Sequence, residues 1–214
     1  MKRVQCYVDG FNLYHAIDAL NENHLKWVDI RSLATAFVKP SKEVLNEVFY
    51  FSAYATWLPA SMMKHREYIK ALETRGITTV LGHFNTNSVR CNACGSTWNS
   101  REEKATDVNF AIKLIEQAHN NCFDHAFIVT ADSDLCPPIE MILNNFPTKE
   151  FTILTPPNRY RIARELRGLV NTIKIKKRHL AANLLPAHAF DEEGNILFQR
   201  PTDYDPPFVP IVHP

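Results

Sequence analysis

The chain has 214 residues, 45% hydrophobic and 22% charged, enough to enclose a sizeable core in one large domain or two small ones. Lys and Arg number 24 against 23 Asp and Glu, a formal charge of +1, which excludes the uniformly basic or acidic chains whose overall charge names their partner. Five cysteines, an odd number, and an N-terminus MKRVQCYVDG with no apolar stretch point to a reduced, cytoplasmic protein. An apolar run of about 18 residues, as a membrane span needs, is absent from the sequence.

In chain order, Arg3 to Val8 is a short β-rich run that stops at Asp9-Gly10, and Phe11 to Leu20 continues with helical spacing. Asp29 caps a helix over Ile30 to Val38, which Lys39-Pro40 ends, and Val44 to Tyr54 is the next strand. Ser61 to Arg75 reads as a helix stopped by Gly76, and Ile77 to Phe84 as a third strand. Asn85 to Lys104 is a polar loop insertion containing Cys91, Cys94 and the pair Glu102-Glu103. In the helix expected over Thr106 to His119, Val108, Ala111, Ile112, Ile115 and Ala118 form the face assigned to the sheet. His125 to Thr130 is a fourth strand ending at Ala131-Asp132-Ser133-Asp134; Ile139 to Leu143 is helical, and Phe151 to Leu154 is a fifth strand. From Pro186 on, the proline-rich, acidic composition predicts an extended tail over 186–214 that lies partly on the domain at 1–185 or contacts another subunit.

Strands alternating with helices predict an α/β fold with a mostly parallel sheet covered on both faces. Ligands of such sheets bind beyond the carboxyl ends of the strands. Asp9, Asp132 and Asp134 follow strands, and Asp107 opens the long helix. Taken singly, each reads equally well as a turn former or helix cap. Clustered together, they would require a compensating cation, and Mg²⁺ or Mn²⁺ suits hard carboxylate ligands.

Three blocks carry a resemblance: Val8-Asp9-Gly10-Phe11-Asn12-Leu13-Tyr14, then Glu102-Glu103-Lys104-Ala105-Thr106-Asp107-Val108-Asn109, then Val129 to Pro137 with Asp132-Ser133-Asp134. Their order and spacing resemble the NYN domain, a branch of the PIN-like nucleases that includes LabA-like bacterial proteins. The likeness covers about residues 3–185, continuing through Thr155 to Arg159 and Arg164 to Leu166. It implies a three-layer αβα sandwich and metal-dependent hydrolysis of RNA phosphodiesters. Asp9, Asp107 and Asp132 would be the metal-binding acids, Asn12 an orienting group, and Asp134 a nearby acid reaching the ion directly or through water. Thr130-Ala131 departs from the family's usual Ser-Gly before the last motif.

Arg159, Arg161, Arg164, Arg167, Lys174, Lys176, Lys177 and Arg178 face one acid, Glu165, across a short stretch. Such a stripe reads either as a track for an RNA backbone, with Tyr160, Phe11 or Tyr14 stacking on bases, or as a solvated helix face. Cys91-x2-Cys94-Gly95 has the form of half a zinc knuckle; bound Zn²⁺, an unmetallated pair and a zinc shared across a homodimer all remain open. Cys6 and Cys136 read as small core residues. A non-catalytic RNA-binding or regulatory module is the alternative to a nuclease. A phosphoaspartyl enzyme is disfavoured, because Asp9 is followed by Gly10-Phe11 and not by a second acid.

Overall fold

The computed structural model describes residues 1–207. Along β1 (Lys2–Asp9), Val4, Cys6 and Val8 enter one apolar layer while Tyr7 enters the other. Burial of both faces is what a central parallel strand demands. β1 is followed by α1 (Gly10–Asp18), α2 (Ile30–Thr35), β2 (Glu43–Ser52), α3 (Pro59–Thr74) and β3 (Thr78–Leu81). A hairpin of β4 (His83–Arg90) and β5 (Thr97–Lys104) leads into α4 (Thr106–His119), β6 (His125–Val129), α5 (Cys136–Asn145) and β7 (Glu150–Thr155). The chain closes with α6 (Arg164–Leu169), β8 (Asn171–Lys174), α7 (Lys177–Ala181) and the strands β9 (His188–Phe190) and β10 (Ile196–Gln199).

Six strands pair in parallel in the order β3-β2-β1-β6-β7-β8. Leu13, Ile30, Leu72 and Leu180 from α1, α2, α3 and α7 pack on one face; Phe110, Ile139 and Leu166 from α4, α5 and α6 pack on the other. This is the three-layer αβα sandwich. The chain first winds outward from β1 to β3 and then returns to build from β6 to β8, so β1 and β6 flank the point where the winding reverses. No helix among the described residues is long and apolar enough to cross a membrane.

Four sequence expectations change. The third strand ends at Leu81, and Gly82 turns the chain because a Cβ there would stand 2.6 Å from the Lys104 carbonyl. The segment read as a polar loop is an antiparallel hairpin pairing His83–Arg90 with Thr97–Lys104. On α4, Val108 and Ile112 are each 60% exposed, and the buried stripe is Phe110, Leu114 and Ala118. Phe110 wins that face because its ring lies 4.5 Å from Phe51 and 6.0 Å from Tyr7. The sixth sheet strand, β8, was not anticipated; its sequence NTIK is too polar to show alternation.

Residues 186–207 lie against the sandwich. Phe198 of β10 is buried with its ring 6.0 Å from Trp27, and the Trp27 indole N–H donates to the Pro186 carbonyl at 2.8 Å. Phe198→Ala removes a fully buried ring from the Trp27 layer, and a loss of about 3–4 kcal/mol is expected in urea unfolding; a change below about 1 kcal/mol would show that this segment does not belong to the core.

Candidate functional site

Asp9 ends β1 and caps α1. The backbone N–H of Asn12 donates to its Oδ1 at 2.9 Å, and the Thr130 hydroxyl donates to its Oδ2 at 2.9 Å. Thr130 also accepts the Asp132 N–H at 3.1 Å, while the Asn12 side-chain oxygen accepts the Ala131 N–H at 3.1 Å. The ends of β1 and β6 are thus tied crosswise by two short polar side chains. Asp132 in turn accepts the Asp134 N–H at 3.0 Å, which shapes the turn before α5. Thr130 therefore does the joining work at the position where the sequence departs from the family pattern. Next along the chain, Gly10 lets α1 start against β2, since a Cβ there would meet the Phe51 carbonyl and the Tyr50 ring at 2.6 Å.

Asp107 reaches the same end of the sheet by another route. Ala105 adopts φ +74°, left-handed, between β5 and α4, which places Asp107 in the first turn of α4 beside Glu103 at the end of β5. Asp9, Asp18, Glu103, Asp107 and Asp132 line one pocket of about 510 Å³ with Asn12, His15 and Arg159. Five carboxylates thus meet one guanidinium. Burial, with Asp107 and Asp132 adding repulsion, pushes the Asp9 carboxyl up to about 6 despite its two hydrogen bonds. Burial and the charges of Asp132 and Asp134 raise Asp107, and burial with Asp107 nearby raises Glu103.

The acids share a pocket without closing on a point. Among the described residues, no three His, Cys, Asp or Glu side chains come close enough together to hold a metal ion. The acids form an open cluster at one end of the sheet, with the Arg159 guanidinium among them. Asp134 acts on Asp107 electrostatically but does not line the pocket. Glu103 does, and the sequence reading noted it only within an acidic pair.

Beyond the acids, past the end of α1, lies a groove. Leu20, Asn158, Tyr160, Arg161, Arg167, Lys174, Lys176 and Lys177 line it. Arg167 and Lys174 stand over the Tyr160 ring, 4.6 and 4.1 Å from its centre, in cation–π contact. Arg159 turns into the acidic pocket, joining the two regions. Arg164 opens α6 and lines neither, and Arg178 lies beside His179. Cys91 and Cys94 sit at the far tip of the β4–β5 hairpin as free thiols, with Gly95 at φ +73° donating its N–H to the Cys91 carbonyl. The Ser96 hydroxyl, 3.1 Å from Cys94 Sγ, together with the Ser96 N–H and the Cys91 thiol, holds the Cys94 thiol down at about 7. Cys6 is fully buried and Cys136 half-buried.

Comparison with known families finds the NYN domain over residues 3–166, most of the chain and all of the acidic motifs. The chain belongs to the NYN domain family. Among curated proteins, it is similar to 6-hydroxy-3-succinoylpyridine 3-monooxygenase HspA of Pseudomonas putida (strain DSM 28022 / S16), at 22% identity over 220 residues, covering 86% of this chain and 69% of that protein. Among solved structures it resembles VPA0982 of Vibrio parahaemolyticus RIMD 2210633, a protein described as of unknown function, at 19% identity and a TM-score of 0.52 over 86% of this chain and 96% of that one. That likeness supports the sandwich fold alone. In this NYN chain the motif acids fall at the reversal of the winding, where α/β sheets bind ligands.

The raised Asp9 carboxyl sets the pH response of the metal-free NYN domain. A carboxyl that binds its proton more tightly when folded stabilises the fold fully below its unfolded value of about 3.9 and loses that contribution as pH rises through about 6. Thermal melts in EDTA are expected to fall between pH 4 and 6.5 by the equivalent of roughly 3 kcal/mol, and Asp9→Asn should flatten that limb. An unchanged slope in the variant would remove Asp9 as its source.

Proposed function

We propose that this protein is a metal-dependent ribonuclease. The observation that carries the reading is the adjacency of five carboxylates to a basic, aromatic-bearing groove: Arg159 lines the acidic pocket while its neighbours Asn158, Tyr160 and Arg161 line the groove. The donor set fits a hard cation: every acid offers oxygen, Asp9 is destabilised as an anion, and Mg²⁺ commonly takes one or two carboxylates and fills its remaining positions with water. An open cluster of about 510 Å³ suits that mode better than a closed cage. Asp9, Asp107 and Asp132, with Asp134 through water, would hold Mg²⁺ or Mn²⁺, which would supply an acidified water and neutralise phosphate charge.

The chain's own residues have distinct tasks. Asn12 and Thr130 lock the two strand ends so that Asp9 and Asp132 keep one spacing. Arg159, the guanidinium in the pocket, takes a non-bridging phosphate oxygen. Arg161, Arg167, Lys174, Lys176 and Lys177 hold neighbouring phosphates, and Tyr160 offers a face to an unpaired base. Water attacks phosphorus, the P–O3′ bond breaks, and the leaving oxygen takes a proton, giving 5′-phosphate and 3′-hydroxyl ends.

End-labelled single-stranded RNA with Mn²⁺ tests this. Asp132→Asn is expected to lower cleavage on the order of 100-fold while retaining RNA binding, and Arg161→Gln with Lys174→Gln to weaken binding and flatten its salt dependence. Equal cleavage by wild type and Asp132→Asn rejects the assignment. The separation of the acids favours a second reading, an RNA-binding module without turnover; it predicts RNA retention with no cleavage under any divalent cation.

The Cys91–Cys94 turn supplies half of a tetrahedral thiolate site, and we propose that zinc there is shared between the hairpin tips of two copies. Metal analysis with light scattering should find half an equivalent of zinc per chain in a dimer that Cys94→Ser converts to monomer. A full equivalent in a monomer, or no zinc, rejects the sharing.

A further inference from the structure

On the other side of the acidic pocket lies a cavity of about 440 Å³ with no role so far. Phe11 and His15 of α1 line both spaces, so the cavity opens beside the acids. Its walls are aromatic. Trp57 and Phe84 meet edge to face at 4.7 Å, Phe84 meets Phe11 at 5.6 Å and 90°, and Tyr14 and Tyr50 complete the enclosure. Arg101 caps the outer face of Trp57 at 4.6 Å, which fixes that ring from the β5 side. Such a slot suits a flat ring, which gains stacking area at little cost in conformational entropy.

One polar atom in this wall is unsatisfied. His65 of α3 lines the cavity, and its Nε2 is buried from solvent with no hydrogen-bond partner among the described residues. Such an atom destabilises the fold unless something pairs with it. Burial holds the imidazole down at about 4, so at neutral pH it is uncharged and presents one donor and one acceptor nitrogen. The groups facing it are the rings of Tyr50 and Tyr54, 6.5 and 5.1 Å away, both edge to face. A ring nitrogen or carbonyl of a heterocycle supplies what those faces lack.

We propose that this cavity receives one unstacked nucleobase of the RNA, stacked against Trp57 and Phe84, and that a rotation of the His65 ring in its wall brings the unpaired Nε2 to the polar edge of the base. The proposal rests on the ribonuclease reading for the identity of the ligand. It adds a base-recognition site to a cutting site otherwise served only by backbone contacts. The aromatic cavity and the acidic pocket share Phe11 and His15, and the basic groove begins at Leu20 just past α1, so base, scissile phosphate and following phosphates would occupy adjoining spaces.

Calorimetric titration of the full chain in EDTA with adenosine, guanosine, cytidine and uridine 5′-monophosphates tests it, with 6-hydroxynicotinate as a free heteroaromatic competitor chosen for the substrate in the HspA name. At least one nucleotide should bind. Trp57→Ala should weaken it about tenfold, and His65→Leu, which keeps the bulk and removes the nitrogens, should weaken it or erase the preference among the four bases. Binding of no nucleotide by a wild type that cleaves RNA overturns the base site and leaves the nuclease standing. Nucleotide binding that Trp57→Ala and His65→Leu both leave intact places the nucleotide elsewhere and overturns the site. Binding of 6-hydroxynicotinate alone overturns the assignment to RNA. Nucleotide binding with the expected variant effects, in a protein that cuts no RNA, supports the cavity and rejects the ribonuclease.

Discussion

Pairing of Val4–Val8 of β1 with His125–Val129 of β6 is the constraint on which the site depends. It sets two strand ends side by side where the winding reverses, and each end carries an aspartate. A fold built only for stability would not place Asp9, mostly buried, in the field of Asp107 and Asp132. The crosswise bonds of Asn12 and Thr130 hold that arrangement against its own repulsion. What the pairing costs as electrostatic strain it returns as a pocket whose affinity for positive charge is built in.

Most of the architecture was visible in the sequence because parallel strands buried on both faces leave dense apolar runs, as in Arg3–Val8 and His125–Thr130. The elements that escaped have polar or mixed composition. β8 carries only Ile173 as a large apolar residue, and the β4–β5 hairpin is solvent-facing, so neither shows the alternation that marks a half-buried strand. The face of α4 was misread because counting aliphatic spacing gave Val108 and Ile112 the same weight as Phe110, whose ring fills the space between Phe51 and Tyr7.

The acids were legible one by one as residues following strands, and the family motifs supplied their grouping. Two contributors were harder to find. Glu103 enters the pocket only because β5 pairs with β4 and the left-handed Ala105 turns the chain, which spacing alone does not reveal. Thr130 acts through a hydroxyl that bridges two acids, a role its type permits but does not announce. The aromatic cavity gathers Phe11, Tyr50, Trp57, His65 and Phe84 from five separate segments, so no local pattern could have signalled it.

Helix α1 has a consequence for the geometry of cutting. Over a single span, Phe11 to Asp18, it lines the ring-lined cavity and the acidic pocket together, and the cationic groove begins past its end at Leu20. Because the helix is anchored by the Asp9 cap and by packing of Leu13 and Ile17 on the sheet, it forms a rigid partition between the two spaces. On the proposed reading, the broken linkage would fall a fixed, small number of nucleotides from the captured ring, so fragment ends would report position relative to a base and not merely strand accessibility.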